Sequence, residues 1–182
     1  MNKNAIKKFA IAARTRLIAT VSDRAGLLGI TKGKIRQPKS KGNGFEIYET
    51  VAGTENTLNR NQINQRNKLV AQIEARGFDV VMEEVAYTWF NRICAIRFME
   101  VNGYLENGVN GENIYVIGSV DPDRNFPDAV DRATELKYVD KEKVYKYQDA
   151  EDNAGLFRYI LMSQCAELSK WMPDVFEKVS DY

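Results

Sequence analysis

Five cations between Thr31 and Asn43 are the residues of this 182-residue chain whose types and spacing most clearly suit chemistry. They recur at short intervals in a polar, proline-interrupted stretch, as Lys32, Lys34, Arg36, Lys39 and Lys41. This composition predicts an exposed, mobile loop. Spaced cations on such a loop can follow the phosphate backbone of double-stranded DNA without reading its bases. The alternative is a solvated, disordered loop without a ligand, and the residues alone leave both interpretations open.

The charge of the whole chain supports a polyanionic partner at one end. The formal net charge is only +1, but residues 1–41 contain eleven basic side chains and one acidic side chain, a net charge of +10. Residues 81–182 contain eleven basic and nineteen acidic side chains, a net charge of −8. A basic arm on an acidic body is typical of proteins that contact nucleic acid through one end.

Three polar residues, Asn91, Arg92 and Arg97, interrupt an otherwise apolar stretch. A buried guanidinium requires a carboxylate partner. Glu100 follows Arg97 by one helical turn, and Glu84 precedes Arg92 by two turns, so either could serve. We interpret the three residues as a buried polar network or as a face that meets another domain. A nucleic-acid contact is the alternative.

Other catalytic, cofactor-binding or metal-binding patterns are weak. The sequence has no histidine, and its two cysteines lack metal-ligand spacing. Gly42-Asn43-Gly44 resembles half of a phosphate-binding loop, but we predict no strand before it and no helix after it. Glu83 and Glu84 point about 100° apart on a helix and do not converge on a substrate. We predict no catalytic, cofactor or metal site within the chain.

Asn91, Arg92 and Arg97 must be positioned by one long helix, which we predict over residues 80–105. Its apolar residues form two adjacent stripes, namely Met82, Val85, Trp89, Ile93 and Ile96, and Ala86, Phe90, Cys94, Phe98 and Val101. Two adjacent stripes leave little polar surface, which predicts a helix buried on most sides. Asn102-Gly103 supplies a C-terminal cap.

The remaining pattern places further helices at 3–28, 57–75 and 153–172, short surface helices within 128–150, and possible strands at 45–51 and 114–117. We therefore predict a mainly α fold, an irregular helical bundle around the 80–105 helix, with at most a short β-hairpin or isolated short strands. We expect one domain over residues 1–182. Its parts are a basic helix and loop (1–41), a helical hairpin (57–105), an irregular acidic segment (106–150) and a C-terminal helix (151–176).

Cys94 and Cys165 both lie on apolar helical faces, which predicts buried thiols rather than a disulfide and agrees with a reducing cytoplasm. No apolar run reaches about 18 residues, so we expect neither a membrane span nor a signal peptide.

Three stretches of the sequence resemble one protein family. They are the chain start, Met1-Asn-Lys-Asn-Ala-Ile-Lys-Lys-Phe-Ala-Ile-Ala-Ala-Arg14, the long motif from Val81 to Leu105, and the segment from Leu156 to Lys178. They are similar to the N-terminal region of the PglX family, the large adenine-specific DNA methyltransferases of BREX phage-defence systems, often labelled type II restriction-modification methyltransferases. The resemblance covers the whole chain.

The resemblance implies an N-terminal helical domain that packs on a catalytic domain and assists DNA binding. It implies S-adenosylmethionine as cofactor of the longer enzyme, with double-stranded DNA, the remainder of the methyltransferase chain and other defence-system proteins as partners. The Gly-rich loop and Asn-Pro-Pro-Tyr motif of such methyltransferases do not occur in this sequence. We therefore expect no cofactor and no activity in this fragment. A stand-alone helical protein–protein adaptor is the alternative.

Overall fold

A computed structural model describes residues 3–176 of the chain. The described residues form two compact units, the first reaching from Lys3 to Phe90 and the second from Asn91 to Phe176. Within this part of the chain there are six α-helices and one small three-stranded sheet, which confirms the predicted mainly α fold class with short strands. The single-domain organisation stays a prediction.

Three long helices begin in the first unit: α1 (Lys3–Leu27), α2 (Arg60–Arg76) and α3 (Phe78–Val101). Helix α2 starts three residues later than predicted because the side chain of Asn59 caps it. The Asn59 side chain accepts a hydrogen bond from the Gln62 amide, and the Gln62 side chain accepts one from the Asn59 amide. This reciprocal capping box fixes the first turn. Gly77, with φ +90°, separates α2 from α3.

The sheet follows the order β1 (Ser40–Gly42), β2 (Phe45–Glu49) and β3 (Glu55–Asn59), all antiparallel. The prediction of a strand near residue 45 is confirmed. The prediction of a mobile loop up to residue 43 is wrong for β1, which pairs with β2. Asn43-Gly44 joins these strands as a two-residue turn, and Gly44 has the positive φ of +88° that such turns require.

The apolar core of the first unit lies where α1, α2 and the start of α3 meet. Its buried residues are Ala25, Ile30, Ile73, Val81 and Met82. Partly buried side chains surround them: Val21, Leu28, Ile35, Leu69, Val70, Phe78 and Val85. Met82 and Val85 belong to the first apolar stripe predicted for the 80–105 helix.

Helix α3 is less buried than its apolar sequence predicted. Ala86 and Ile96 are buried, but Cys94, Phe98 and Val101 of the second stripe are exposed. The prediction of burial is therefore wrong for the second stripe over the last two turns, where Ile96 of the first stripe is buried. The predicted cap at Asn102-Gly103 is confirmed: the Tyr104 amide donates to the Met99 carbonyl and the Gly103 amide to the Glu100 carbonyl, the pattern of a Schellman motif.

The second unit combines the end of α3 with α4 (Asp128–Asp131), a 3₁₀ helix (Ala133–Glu135), α5 (Lys141–Asp149) and α6 (Asn153–Leu168). The strand predicted at 114–117 is absent from this described segment. Helix α6 ends four residues before the predicted end, and Trp171, which lay within the predicted helix, is exposed. Pro173 restricts only the residue before it, Met172, so it does not by itself explain an end at Leu168.

The two cysteines differ in exposure. Cys165 is buried as predicted, whereas Cys94 is exposed because its stripe faces solvent, and both thiols are free. Burial raises the pKa of the Cys165 thiol to about 11. The thiolate, which is the reactive form, is therefore scarce at Cys165 near neutral pH.

We expect one thiol of the native chain to react with a disulfide reagent at about pH 8, and two to react in guanidinium chloride, because unfolding exposes Cys165. The release of thionitrobenzoate measures both values. Cys94→Ser is the control and should remove the native reaction. Rapid reaction of two thiols in the native chain would show that Cys165 is accessible.

Candidate nucleic-acid interface

The structure holds four of the five predicted DNA-contact cations beside carboxylates of the first unit. Lys32 pairs with Asp79 at 2.5 Å and Lys39 with Glu55 at 2.5 Å. The remaining pairs are Lys41 with Glu46, at 3.3 Å, and Arg36 with Glu49. Within residues 3–176, Lys34 alone of the five has no ion-pair partner.

These pairs lower the net charge of the predicted interface. The hydrogen bond from Lys39 to Glu55 raises the pKa of the Lys39 ammonium above its ordinary value, which shows how directly the carboxylate stabilises the cation. The side chains of Lys32 and Asp79 are 73% and 65% exposed, so water screens their attraction. The role of the five cations in DNA contact stays a prediction.

Helix α1 supplies the remaining positive charge of the first forty residues. Lys3, Lys7 and Lys8 occupy its first two turns and are exposed, and the first turn contains no acidic residue. None of these three lysines forms an ion pair with a residue of the described range 3–176. Arg14 differs from them, since it pairs with Glu83 of α3.

Sequence analysis missed a buried cation beneath the basic loop. Arg66 of α2 is only 5% exposed, and its guanidinium carbon lies 3.8 Å from the centre of the Tyr48 ring. It donates hydrogen bonds to the carbonyl oxygens of Leu28, at 2.9 Å, and Arg36, at 2.6 Å. Arg66 therefore ties the end of α1 and the loop to α2.

Tyr48, whose ring contacts Arg66, forms a polar cluster with Arg66 and Glu46. Tyr48 is 2% exposed and donates a hydrogen bond to Glu46. Burial raises the pKa of Tyr48 to about 12, and the hydrogen bond from its hydroxyl lowers the pKa of Glu46. The signal in the sequence was the alternation of Glu46 and Tyr48 on one face of β2, where residues two apart share a face.

The three polar residues of α3 occupy different environments. Arg92 is buried, Asn91 is partly buried, and the Arg97 side chain is 44% exposed. Arg97 pairs with Glu100 at 3.0 Å, as the spacing of one turn predicted. Glu84, considered as a partner for Arg92, forms an ion pair with Arg76 at 2.6 Å. Whether the three serve a domain interface stays a prediction.

Glu100 holds the irregular segment after α3 in place. Its carboxylate is fully buried, and one oxygen accepts hydrogen bonds from the amides of Val116, at 2.5 Å, and Ile117, at 2.6 Å. Its backbone carbonyl accepts a further hydrogen bond from the Asn113 side chain at 2.7 Å. These bonds occupy backbone groups that a strand at 114–117 would use.

The side-chain amide of Asn107 holds the backbone of Ile114 in place. It accepts from the Ile114 amide and donates to the Ile114 carbonyl, both at 2.8 Å, and also donates to the Gln164 side chain at 3.2 Å. The buried side chain of Asn107 thus makes the backbone hydrogen bonds that a neighbouring strand would otherwise make. Glu100, Asn107 and Gln164 are a structural network, and its partners are backbone groups of the same unit.

The described residues offer little support for other kinds of site. Glu83 and Glu84 each pair with a different arginine, Arg14 and Arg76, and so do not converge. No group of three histidine, cysteine or acidic side chains within residues 3–176 is arranged to hold a metal ion. None of the helices in that range is long and apolar enough to cross a membrane.

Comparison with known proteins shows what the chain is similar to. No family model matches it. It is 32% identical over 200 aligned residues to the adenine-specific methyltransferase PglX of Lacticaseibacillus casei, and 33% identical over 188 aligned residues to the adenine-specific methyltransferase BrxX of Escherichia coli O9:H4. Each alignment covers 100% of this chain but only 16% and 15% of the respective relative. By sequence, the chain is therefore similar to a short segment of the PglX and BrxX adenine-specific methyltransferases and spans about a sixth of their length.

Proposed function

We propose that this chain is the helical N-terminal part of an adenine-specific DNA methyltransferase of a BREX-type phage-defence system. Its role is to pack on the catalytic part and to help hold duplex DNA. S-adenosylmethionine and the reaction belong to the longer protein. Similarity over the whole of this chain to a short segment of two adenine-specific methyltransferases supports the family, and the exposed apolar end of α3 supports the packing role.

The surface proposed for packing, the α3 end patch, consists of Phe98, Val101 and Tyr104. Their side chains are 60%, 55% and 61% exposed. The rings of Phe98 and Tyr104 meet edge to face with their centres 6.0 Å apart, so the patch is one continuous surface. Contiguous exposed apolar surface on a soluble protein marks a place where another surface binds.

The α3 end patch also suits the second candidate function, a stand-alone adaptor that binds a separate protein, such as another component of a defence system. Both functions require an apolar partner surface, but they place it on different molecules. The relatives favour the first function, because each matches this chain within one long polypeptide.

Phe98→Ser tests the packing role. In the isolated 182-residue chain, we expect the free energy of unfolding to change by less than about 0.5 kcal/mol, since the ring is exposed. In the longer protein we expect a loss of about 1.5–3 kcal/mol, the usual contribution of a buried phenylalanine side chain. Urea titrations of both proteins provide the measurement.

Tyr145→Ser is the matched control, because Tyr145 is a 52% exposed aromatic residue on α5 outside the α3 end patch. It should have a small effect in both proteins. Equal stability of wild-type and Phe98→Ser forms of the longer protein would contradict the packing role and favour the adaptor.

A further inference from the structure

Resting on the proposed DNA role, we infer that the main phosphate contact lies on the α1 lysine cluster, Lys3, Lys7 and Lys8, and not on the loop at 31–41. The cluster is exposed and has no ion-pair partner within residues 3–176. Lysines in the first turns of a helix also repel the positive end of the helix dipole. A phosphate placed there relieves this repulsion.

The loop cations lack this advantage. Lys32, Lys39 and Lys41 each lie beside a carboxylate that is fixed by its own strand or helix. A phosphate that approaches such a lysine must displace the carboxylate and then remains close to its negative charge. Since like charges at a few ångströms repel, each loop contact adds less affinity than a contact with an uncompensated lysine.

The dimensions of the α1 lysine cluster fit a nucleic-acid strand. Lys3, Lys7 and Lys8 span about 140° of the helix circumference, and Lys3 and Lys8 are about 7.5 Å apart along the helix axis. B-DNA carries one phosphate per about 3.4 Å of axis on each strand, so this length corresponds to about two phosphate intervals, or three successive phosphates.

Two contacts hold α1 against α3 and make it a fixed platform for that strand. The rings of Phe9 and Phe90 lie with their centres 6.4 Å apart, and Arg14 pairs with Glu83. A fixed platform loses little conformational freedom on binding.

A membrane surface is the other polyanion that a basic helix can contact, and the apolar residues of α1 disfavour it. Ile6, Phe9 and Ile11 are all exposed. At about 100° per residue, Ile11 lies roughly 160° around the helix from Phe9. Ile6 lies only about 60° from Phe9, but Phe9 packs against Phe90 of α3. With Ile11 on the far side, these side chains do not form the one apolar face opposite the cations that insertion into a lipid interface requires.

Two triple variants of equal charge change separate the two surfaces. One is Lys3→Gln/Lys7→Gln/Lys8→Gln and the other is Lys32→Gln/Lys39→Gln/Lys41→Gln. Fluorescence anisotropy with a labelled duplex of about 20 base pairs, at several salt concentrations, gives the affinity and its salt slope. Circular dichroism of both variants checks that the helical fold is retained.

We expect the α1 variant to bind the duplex roughly tenfold or more weakly and to lose about 2–3 from the magnitude of the salt slope, at about 0.9 per phosphate contact. We expect the loop variant to lose less than about 1 from the magnitude of the salt slope. A larger loss in the loop variant overturns the inference but keeps the DNA role. If the wild-type chain binds phosphatidylserine vesicles but no duplex, or binds neither vesicles nor duplex, both this inference and the proposed DNA role are wrong.

Discussion

Replacing Glu100 by alanine is expected to lower the free energy of unfolding by about 3–5 kcal/mol, because the variant leaves buried backbone groups without an acceptor. The amides of Val116 and Ile117 both donate to the Glu100 carboxylate in the folded chain. Each buried amide without a partner costs about 1–3 kcal/mol. Arg97 adds little, since its side chain is 44% exposed and remains solvated. Urea denaturation of the 182-residue chain measures the loss.

Two further variants separate the hydrogen bonds from the general effect of removing a charge. Glu106→Ala removes a carboxylate from an exposed side chain nearby and should change stability by less than about 0.5 kcal/mol. Glu100→Gln keeps an oxygen that can accept from the two amides, so its loss should be smaller than that of Glu100→Ala. Faster amide exchange at Val116 and Ile117 should accompany the alanine variant. A cost near that of Glu106→Ala would show that Glu100 does not hold the segment.

Glu100 also explains why the segment after α3 could not be predicted from sequence. Ile114-Tyr-Val-Ile117 has the β-branched composition of a strand, and strand propensity depends on its partners. Here the partners are side chains of Glu100 and Asn107, which lie up to 17 residues earlier in the chain. Local composition contains no information about them.

The long helices were predictable because their apolar periodicity and end signals are local. Helix α1 was predicted over 3–28 and lies at Lys3–Leu27, helix α2 was predicted to end at residue 75 and ends at Arg76, and the predicted cap at Asn102-Gly103 was confirmed. Strand β3, with the polar sequence Glu-Asn-Thr-Leu-Asn, was missed because pairing with β2 stabilises it, not its own composition. Asn43-Gly44 is typical of a two-residue hairpin turn. It was interpreted as part of a glycine-rich loop, and strand β1 was therefore not predicted.

The predicted DNA interface likewise combines features that were predictable from sequence with contacts that were not. The sequence revealed the basic segment, since charge is counted residue by residue. It could not reveal that Asp79 and Glu55 would lie beside Lys32 and Lys39, because those contacts join residues 47 and 16 positions apart. Likewise, the apolar stripe with Phe98 predicted burial without specifying whether the covering surface lies within residues 3–176.

Arg66 connects the stability of the first unit to the order of the basic loop. Its guanidinium is buried against Tyr48, and it donates to carbonyl oxygens at both ends of the segment from Leu28 to Arg36. Burial lowers the pKa of Arg66 from its ordinary value, but a guanidinium remains charged at all physiological pH values. Its desolvation is therefore compensated by these hydrogen bonds and the ring contact together.

We expect Arg66→Ala to lower the free energy of unfolding by about 3 kcal/mol, since two charge-assisted hydrogen bonds and one cation–π contact are lost together. Arg66→Lys should recover less than half of this loss, because a single ammonium cannot reproduce a planar fork that reaches two carbonyls. Arg60→Ala, at an exposed arginine of the same helix, is the control and should cost less than about 0.5 kcal/mol. Urea denaturation gives these values, and hydrogen exchange should show faster exchange over residues 28–36 in Arg66→Ala. Unchanged exchange there, despite the lost stability, would mean that the bridge between Ile30 and Ile35 orders the loop without Arg66.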